Sequence, residues 1–114
     1  MAGLEGVIVV DLTQYAAGPA ASRLLGELGA TVIKVEDTGL GDFMRHDYPT
    51  KGGGISYYIT ALGRNKKSVS LNLKNEEVVD WFLKMAQEAD IIVESFRPGV
   101  TAKLGIDYES IKKL

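Results

Sequence analysis

Two groups of cationic side chains carry the most chemistry in this chain. Arg64, Lys66, Lys67 and Lys74 fall between residues 64 and 74 with no acid among them, in a protein whose net charge is −2 at pH 7. Arg97 and Lys103 form the second group, just beyond an apolar run that ends near Glu94-Ser95. Ammonium and guanidinium groups hold phosphates and carboxylates through charge-assisted hydrogen bonds, so both groups are candidates for an anionic ligand. The same residues also suit a solvated basic loop, and charge by itself does not choose. Gly18-Pro19 carries a similar pair of readings, a helix N-terminus aimed at an anion or an ordinary helix start.

Other chemistries are scarce. Cysteine is absent, which removes disulfides, thiolate zinc sites and a cysteine nucleophile together. His46 is the one histidine and reads as a solvated loop residue beside Asp47. No group of residues has metal-ligand spacing, so no metal is expected. Neither G-x-G-x-x-G after a strand nor a Walker A sequence occurs, so the usual phosphate loops are missing. The mixed charge argues against a nucleic-acid or anionic-membrane surface. The apolar run Val7-Ile8-Val9-Val10 is far short of a membrane span, and with no basic n-region or small-residue cleavage site before it no secretory signal is expected. With 46% hydrophobic and 25% charged residues in 114, the expectation is one globular cytoplasmic domain.

The elements that must position those cations follow from periodicity. Residues 6–11 read as a strand buried on both faces. Ala17, Ala21, Leu24, Leu25 and Leu28 then mark the inward stripe of a helix, with Arg23 and Glu27 outside and Gly29 ending it. Residues 30–35 read as the next strand, which completes a βαβ unit. From 36 to 67 the periodicity fades into a glycine-rich stretch that includes Gly52-Gly53, broken by a short helix over 56–62. Alternation over 68–73 predicts a half-buried edge strand. Asn75 caps a helix whose buried stripe is read as Val78, Trp81, Phe82, Met85 and Ala89. Ile91-Ile92-Val93 is another central strand, followed by a helical piece over 100–104, Gly105, and a last helix after Asp107. The sum is an α/β domain with an open, mainly parallel sheet, and bare sheet edges mark it as incomplete. In such a sheet ligands bind beyond the carboxyl ends of the strands, which puts Arg97 beside a candidate anion site.

Collinear segments spread over nearly the whole chain then resemble the family III CoA-transferases, the CaiB/BaiF family. They are Leu4-Glu5-Gly6-Val7, Val10-Asp11-Leu12-Thr13, Ala17-Gly18-Pro19, residues 28–36 (Leu28 to Glu36), Gly39-Leu40-Gly41-Asp42, Arg64-Asn65-Lys66-Lys67, Leu71-Asn72-Leu73-Lys74 and residues 89–100. The resemblance implies a Rossmann-like domain that binds coenzyme A or acyl-CoA as substrate, with no permanently bound cofactor. It implies CoA contacts at Lys66, Lys67, Ser95, Phe96, Arg97 and Lys103, a carboxylic acid acceptor, and an interlocked homodimer. In the transferases of this family an aspartate attacks the thioester and becomes an aspartyl-CoA thioester. That aspartate lies downstream of the segment matched here, so residues 1–114 are expected to be the N-terminal part of the CoA-binding domain, without catalytic residues and inactive alone. Related racemases instead shift the proton alpha to the thioester carbonyl, and they remain an alternative, as does a non-catalytic nucleotide-binding module. Three positions depart from the family pattern: Ala16 for a Gln of formyl-CoA-type members, Asp37 for Arg or Pro, and Ser95 for Asn.

Overall fold

The computed structural model describes residues 3–46 and 54–114, so Asp47 and Gly52-Gly53 lie outside the described residues. Four strands, β1 (Ile8–Asp11), β2 (Thr31–Glu36), β3 (Lys66–Ser70) and β4 (Ile91–Val93), form one sheet in the order β3-β2-β1-β4. Every neighbouring pair is parallel, with Val9 opposite Val32 and Ile91, and Val32 opposite Lys66. The predicted α/β class is therefore correct, and the alternating strand over 68–73 does sit at an edge. It begins earlier than expected, at Lys66, so Lys66 and Lys67 belong to a strand and not to a loop.

Helices cover both faces. α1 (Ala17–Glu27) joins β1 to β2 on the face of Val9, Asp11, Val32 and Lys34. α3 (Glu76–Gln87) joins β3 to β4 on the other face, where Val10, Leu12, Val35, Phe82, Ala86 and Ile106 form the main core. The shorter elements are a 3-10 turn at Phe43–Arg45, α2 (Tyr57–Leu62), α4 (Val100–Leu104) and α5 (Tyr108–Ile111). Local signals account for the ends. Asn75 accepts from the Glu77 and Val78 amides at 2.9 and 3.4 Å, Ser56 caps α2, and Gly29 leaves α1 at φ 107°. Asp90 pins the other end of the sheet, because its carboxylate accepts from the Ile8 amide at 2.9 Å.

Two sequence-based faces hold only in part. On α1 only Leu25 of the expected stripe packs against the core: Leu24 and Leu28 are 53% and 55% exposed, and Ala17 and Ala21 are exposed with them. The buried residues of that helix are Pro19 and Ser22. The first turn of the helix lies so close to the segment after β1 that only a small residue fits there. A Cβ on Gly18 would stand 2.3 Å from the Thr13 Cβ, far inside contact distance. On α3, Phe82, Met85 and Ala89 pack in the core as expected, but Trp81 is 51% exposed, and Val79, Leu83 and Ala86 complete the inward side. On the outer side of α1, Arg23 and Glu27 are paired at 3.2 Å.

Candidate functional site

Sheet hydrogen bonding continues past the strands and brings four loops to one rim. The Leu12 amide donates to the Val93 carbonyl at 2.8 Å, and the Leu71 amide to the Glu36 carbonyl at 2.9 Å. Beyond that rim, on the side of α3 and α4, lies a cleft of about 460 Å³. Leu12 and Gln14 contribute from the end of β1, Glu36 and Asp37 from β2, and residues 71–74 from the segment after β3. Phe96 follows β4, and Val100, Lys103 and Leu104 come from α4. Strand order reverses between β1 and β4, and a switch point at the carboxyl ends is where open α/β sheets bind ligands.

The turn that forms one wall is built locally. The Phe96 amide donates to the Glu94 carboxylate at 2.8 Å, Pro98 prevents a helix from starting early, and Gly99 enters α4 at φ 88°. That places the Phe96 ring in the cleft and Lys103 one helical turn beyond Gly99, whose carbonyl accepts from the Lys103 amide at 3.0 Å. The result is an apolar trough with two ammonium groups, Lys74 and Lys103, on its lining. Such a trough accepts a ligand with a hydrophobic body and anionic groups at its edge.

Of the six cations and turn residues expected in the site, Phe96 and Lys103 line the cleft. Ser95 and Arg97 flank Phe96 on the exposed turn and are not part of the lining. Lys67, opposite Ile33 near the start of β3, is exposed at the far end of that strand from the rim. Lys66 is in a different environment altogether. Its side chain is 2% exposed, and its ammonium donates to Asp11 Oδ2 at 2.9 Å, the Pro19 carbonyl at 2.9 Å and Ser22 Oγ at 2.8 Å. All three of its N–H groups are taken, so it has none left for a phosphate. Lys74, which belongs to the same basic run but was not among the expected contacts, holds the position by the cleft. Its signal was present in the sequence, because it follows the carboxyl end of β3 whereas Lys66 and Lys67 precede it.

Lys66 belongs to a buried polar network under α1. The Asp11 carboxylate accepts from the amide and the hydroxyl of Thr13 and, at 2.6 Å, from Ser22 Oγ. Burial pushes the Asp11 carboxyl up, but the bonds from Ser22, Thr13 and Lys66 together outweigh it and hold it below its ordinary value of 3.8. Burial also pushes the Lys66 ammonium below the usual lysine range, and attraction to Asp11 offsets only part of that. Beside this pair, Lys34 donates to the Thr13 carbonyl at 2.9 Å and meets Asp42 at 2.7 Å. Arg45 clasps Glu36 at 2.9 Å. Among the described residues no group of three His, Asp or Glu could hold a metal ion, and no helix is long and apolar enough to cross a membrane.

Comparison with known proteins gives the setting. The model of "CoA-transferase family III" matches residues 4–114. Over 110 residues the chain is 42% identical to an acetyl-CoA:oxalate CoA-transferase of Acetobacter aceti, covering 96% of this chain and 28% of that protein. It is also 42% identical to a human succinyl-CoA:glutarate CoA-transferase, covering 97% of this chain and 25% of the relative. Among solved structures, a hypothetical protein of Mycobacterium tuberculosis superposes with a TM-score of 0.90 at 38% identity, over 99% of this chain and 31% of that one. A CaiB/BaiF family protein of Brucella suis gives 0.89 at 36% identity, over 97% of this chain and 30% of that one. The chain thus spans about a quarter of the length of the curated relatives it matches.

Proposed function

Because the chain belongs to CoA-transferase family III, we propose that it is the N-terminal, CoA-holding part of an enzyme that moves CoA between carboxylic acids. The observation that carries this reading is the rim cleft, where an apolar trough with Phe96 in its wall is bordered by Lys74 and Lys103. Coenzyme A has a long uncharged arm and a phosphate-bearing nucleotide, and the cleft offers partners for both. Lys74 and Lys103 bind phosphates, Phe96 packs against the nucleotide or its arm, and Ser95 and Arg97 meet the ligand from the exposed turn. Lys67 is at most a distant contributor, and Lys66 keeps the sheet and α1 together without touching ligand.

The covalent chemistry in this reading belongs to an aspartate outside these 114 residues. Its carboxylate attacks the thioester carbonyl and expels CoA thiolate, which leaves a mixed anhydride. The thiolate then attacks the aspartyl carbonyl, which releases the first acid and leaves an aspartyl-CoA thioester. The acceptor carboxylate attacks that thioester in turn and takes CoA in the same two steps. Buried and ion-paired, Asp11 and Asp42 are poor candidates for such a nucleophile. The relatives named as transferases favour this reading over a racemase. An interlocked homodimer and a cytoplasmic setting belong to the same proposal.

Calorimetric titration with CoA tests it. The chain should bind CoA saturably, about tenfold more weakly with Lys103→Ala, as expected for one lost charge-assisted bond. The chain should show no transferase turnover. CoA affinity indifferent to both Lys74→Ala and Lys103→Ala would remove the cleft from the reading, and turnover by the chain alone would overturn the placement of the nucleophile.

A further inference from the structure

The exposed apolar residues of α1 form a regular row. Ala17, Ala21, Leu24 and Leu28 follow one another at spacings of four, three and four residues, the interval of a helix–helix seam. At about 100° per residue they fall about 140–180° around the helix from Gly26. Gly26 faces β2 and the start of β3, because a Cβ there would stand 3.3 Å from Val32 Cγ2 and 3.7 Å from Asn65 Cβ. The row therefore points out of the molecule and away from β3, and all four of its residues are exposed. Single exposed leucines are ordinary, but apolar side chains lined up along one helix face mark a contact surface.

The two halves of the row differ in size: alanines come first and leucines last. Two copies of α1 laid antiparallel about a two-fold axis bring Leu28 opposite Ala17 and Leu24 opposite Ala21, large against small, twice over. A parallel pair would crowd leucines at one end and leave a gap between alanines at the other. Charge agrees with the antiparallel arrangement. Arg23 and Glu27, the charged residues of α1, lie beside the row and pair with each other, so the row itself carries no charge. The helix has no acid in its first turn, no base in its last and no side-chain cap at Ala16. An antiparallel neighbour places the opposite pole of a second helix dipole beside each of those uncompensated ends.

We propose that α1 is a homodimer contact: its outward row docks on the same row of a second copy of this chain, antiparallel, with Ala17 facing Leu28 and Ala21 facing Leu24. The contact does not rest on the CoA reading, since none of the four residues lines the rim cleft, and it requires no threading of one chain through the other. One helix face is small beside the roughly 800 Å² per partner of a standard interface, so the dimer exchanges with monomer at a dissociation constant on the order of 100 μM.

Sedimentation equilibrium on the full 114-residue chain tests the contact. Between about 10 μM and about 1 mM, a range that brackets such a weak interface, the mass should rise from 12.3 kDa towards twice that value. Leu24→Glu and Leu28→Glu, both at exposed sites, should each weaken association at least about tenfold with unchanged far-UV circular dichroism. Trp81→Glu removes a comparably exposed side chain from α3 and should leave association as it was. The chain contains no cysteine, so single variants Ala17→Cys and Leu28→Cys report the register. Oxidising an equal mixture of the two should give the mixed disulfide in preference, because like positions stand about 16 Å apart along the antiparallel axis, beyond the reach of a disulfide. A chain still monomeric at the top of the range, as a row covered by other polypeptide would give, overturns the contact. Association that survives both glutamate variants, or that is lost with Trp81→Glu, does the same. Disulfides formed in preference between like variants overturn the antiparallel register.

Discussion

Lys66 and Lys103 are chemically the same residue on two sides of one sheet, and they do opposite work. Under α1, Lys66 is enclosed and gives every N–H to Asp11, Ser22 and the Pro19 carbonyl. At the rim, Lys103 projects from α4 into an open cleft, exposed and without a protein partner among the described residues. A buried ammonium is tolerated only where its surroundings satisfy it completely. A ligand-binding ammonium must instead remain unsatisfied until the ligand arrives, and only solvent allows that at small cost. Charge marks both positions in the sequence, but burial decides which of the two can meet an anion.

That contrast can be broken in graded steps. The largest effect should come from Lys66→Ala, which strands the Asp11 carboxylate in the interior and should cost about 3–5 kcal/mol in urea unfolding. CoA affinity should be unchanged in whatever fraction stays folded. Acid should act through the same pair. The folded-state pKa of Asp11 lies below its ordinary 3.8, so the stability it provides is complete above that value and is lost as pH falls through the folded value. Thermal unfolding recorded downward from neutral pH should therefore show a decline that Asp11→Asn flattens. A decline that is equally steep in that variant would mean the network contributes little.

The rim side should respond in affinity and not in stability. Lys74→Ala should weaken CoA about tenfold with an unfolding midpoint shifted by less than about 0.5 kcal/mol, since its side chain is exposed. The smallest effect belongs to Arg97→Ala. It flanks the cleft from an exposed turn, where a screened charge contributes about 0–1 kcal/mol. A roughly threefold change in CoA affinity is expected; a loss as large as that of Lys103→Ala would move Arg97 into the lining.

Much of the fold was legible because the strands are written in short apolar runs. Val7-Ile8-Val9-Val10 and Ile91-Ile92-Val93 have no polar side to turn outward, so they read as central strands, and β1 and β4 are adjacent in the sheet. Capping chemistry was equally local: Asn75 and Gly29 end helices by their own backbone geometry and hydrogen bonds. Helix faces were less legible. Periodicity finds the apolar side of α1, but the close approach of Gly18 to Thr13 and the bond from Ser22 to Asp11 turn the small, polar side inward. Trp81 was misread for a related reason. Its spacing suits the core as well as Phe82 does, yet a ring pointing one position around the helix emerges at the surface.

The sequence by itself determined that the chain is α/β, where its strands begin and end to within a few residues, and that two stretches carry cations with no acid among them. Those properties depend on neighbours along the chain. Tertiary structure alone decided that Lys66 pairs with an aspartate 55 positions away and that Lys74 stands by the cleft. It also decided that three cations from separate segments share one small cavity on the other face. Each of these depends on which strand lies beside which and how closely a helix covers them, and no local pattern encodes a distance between segments so far apart.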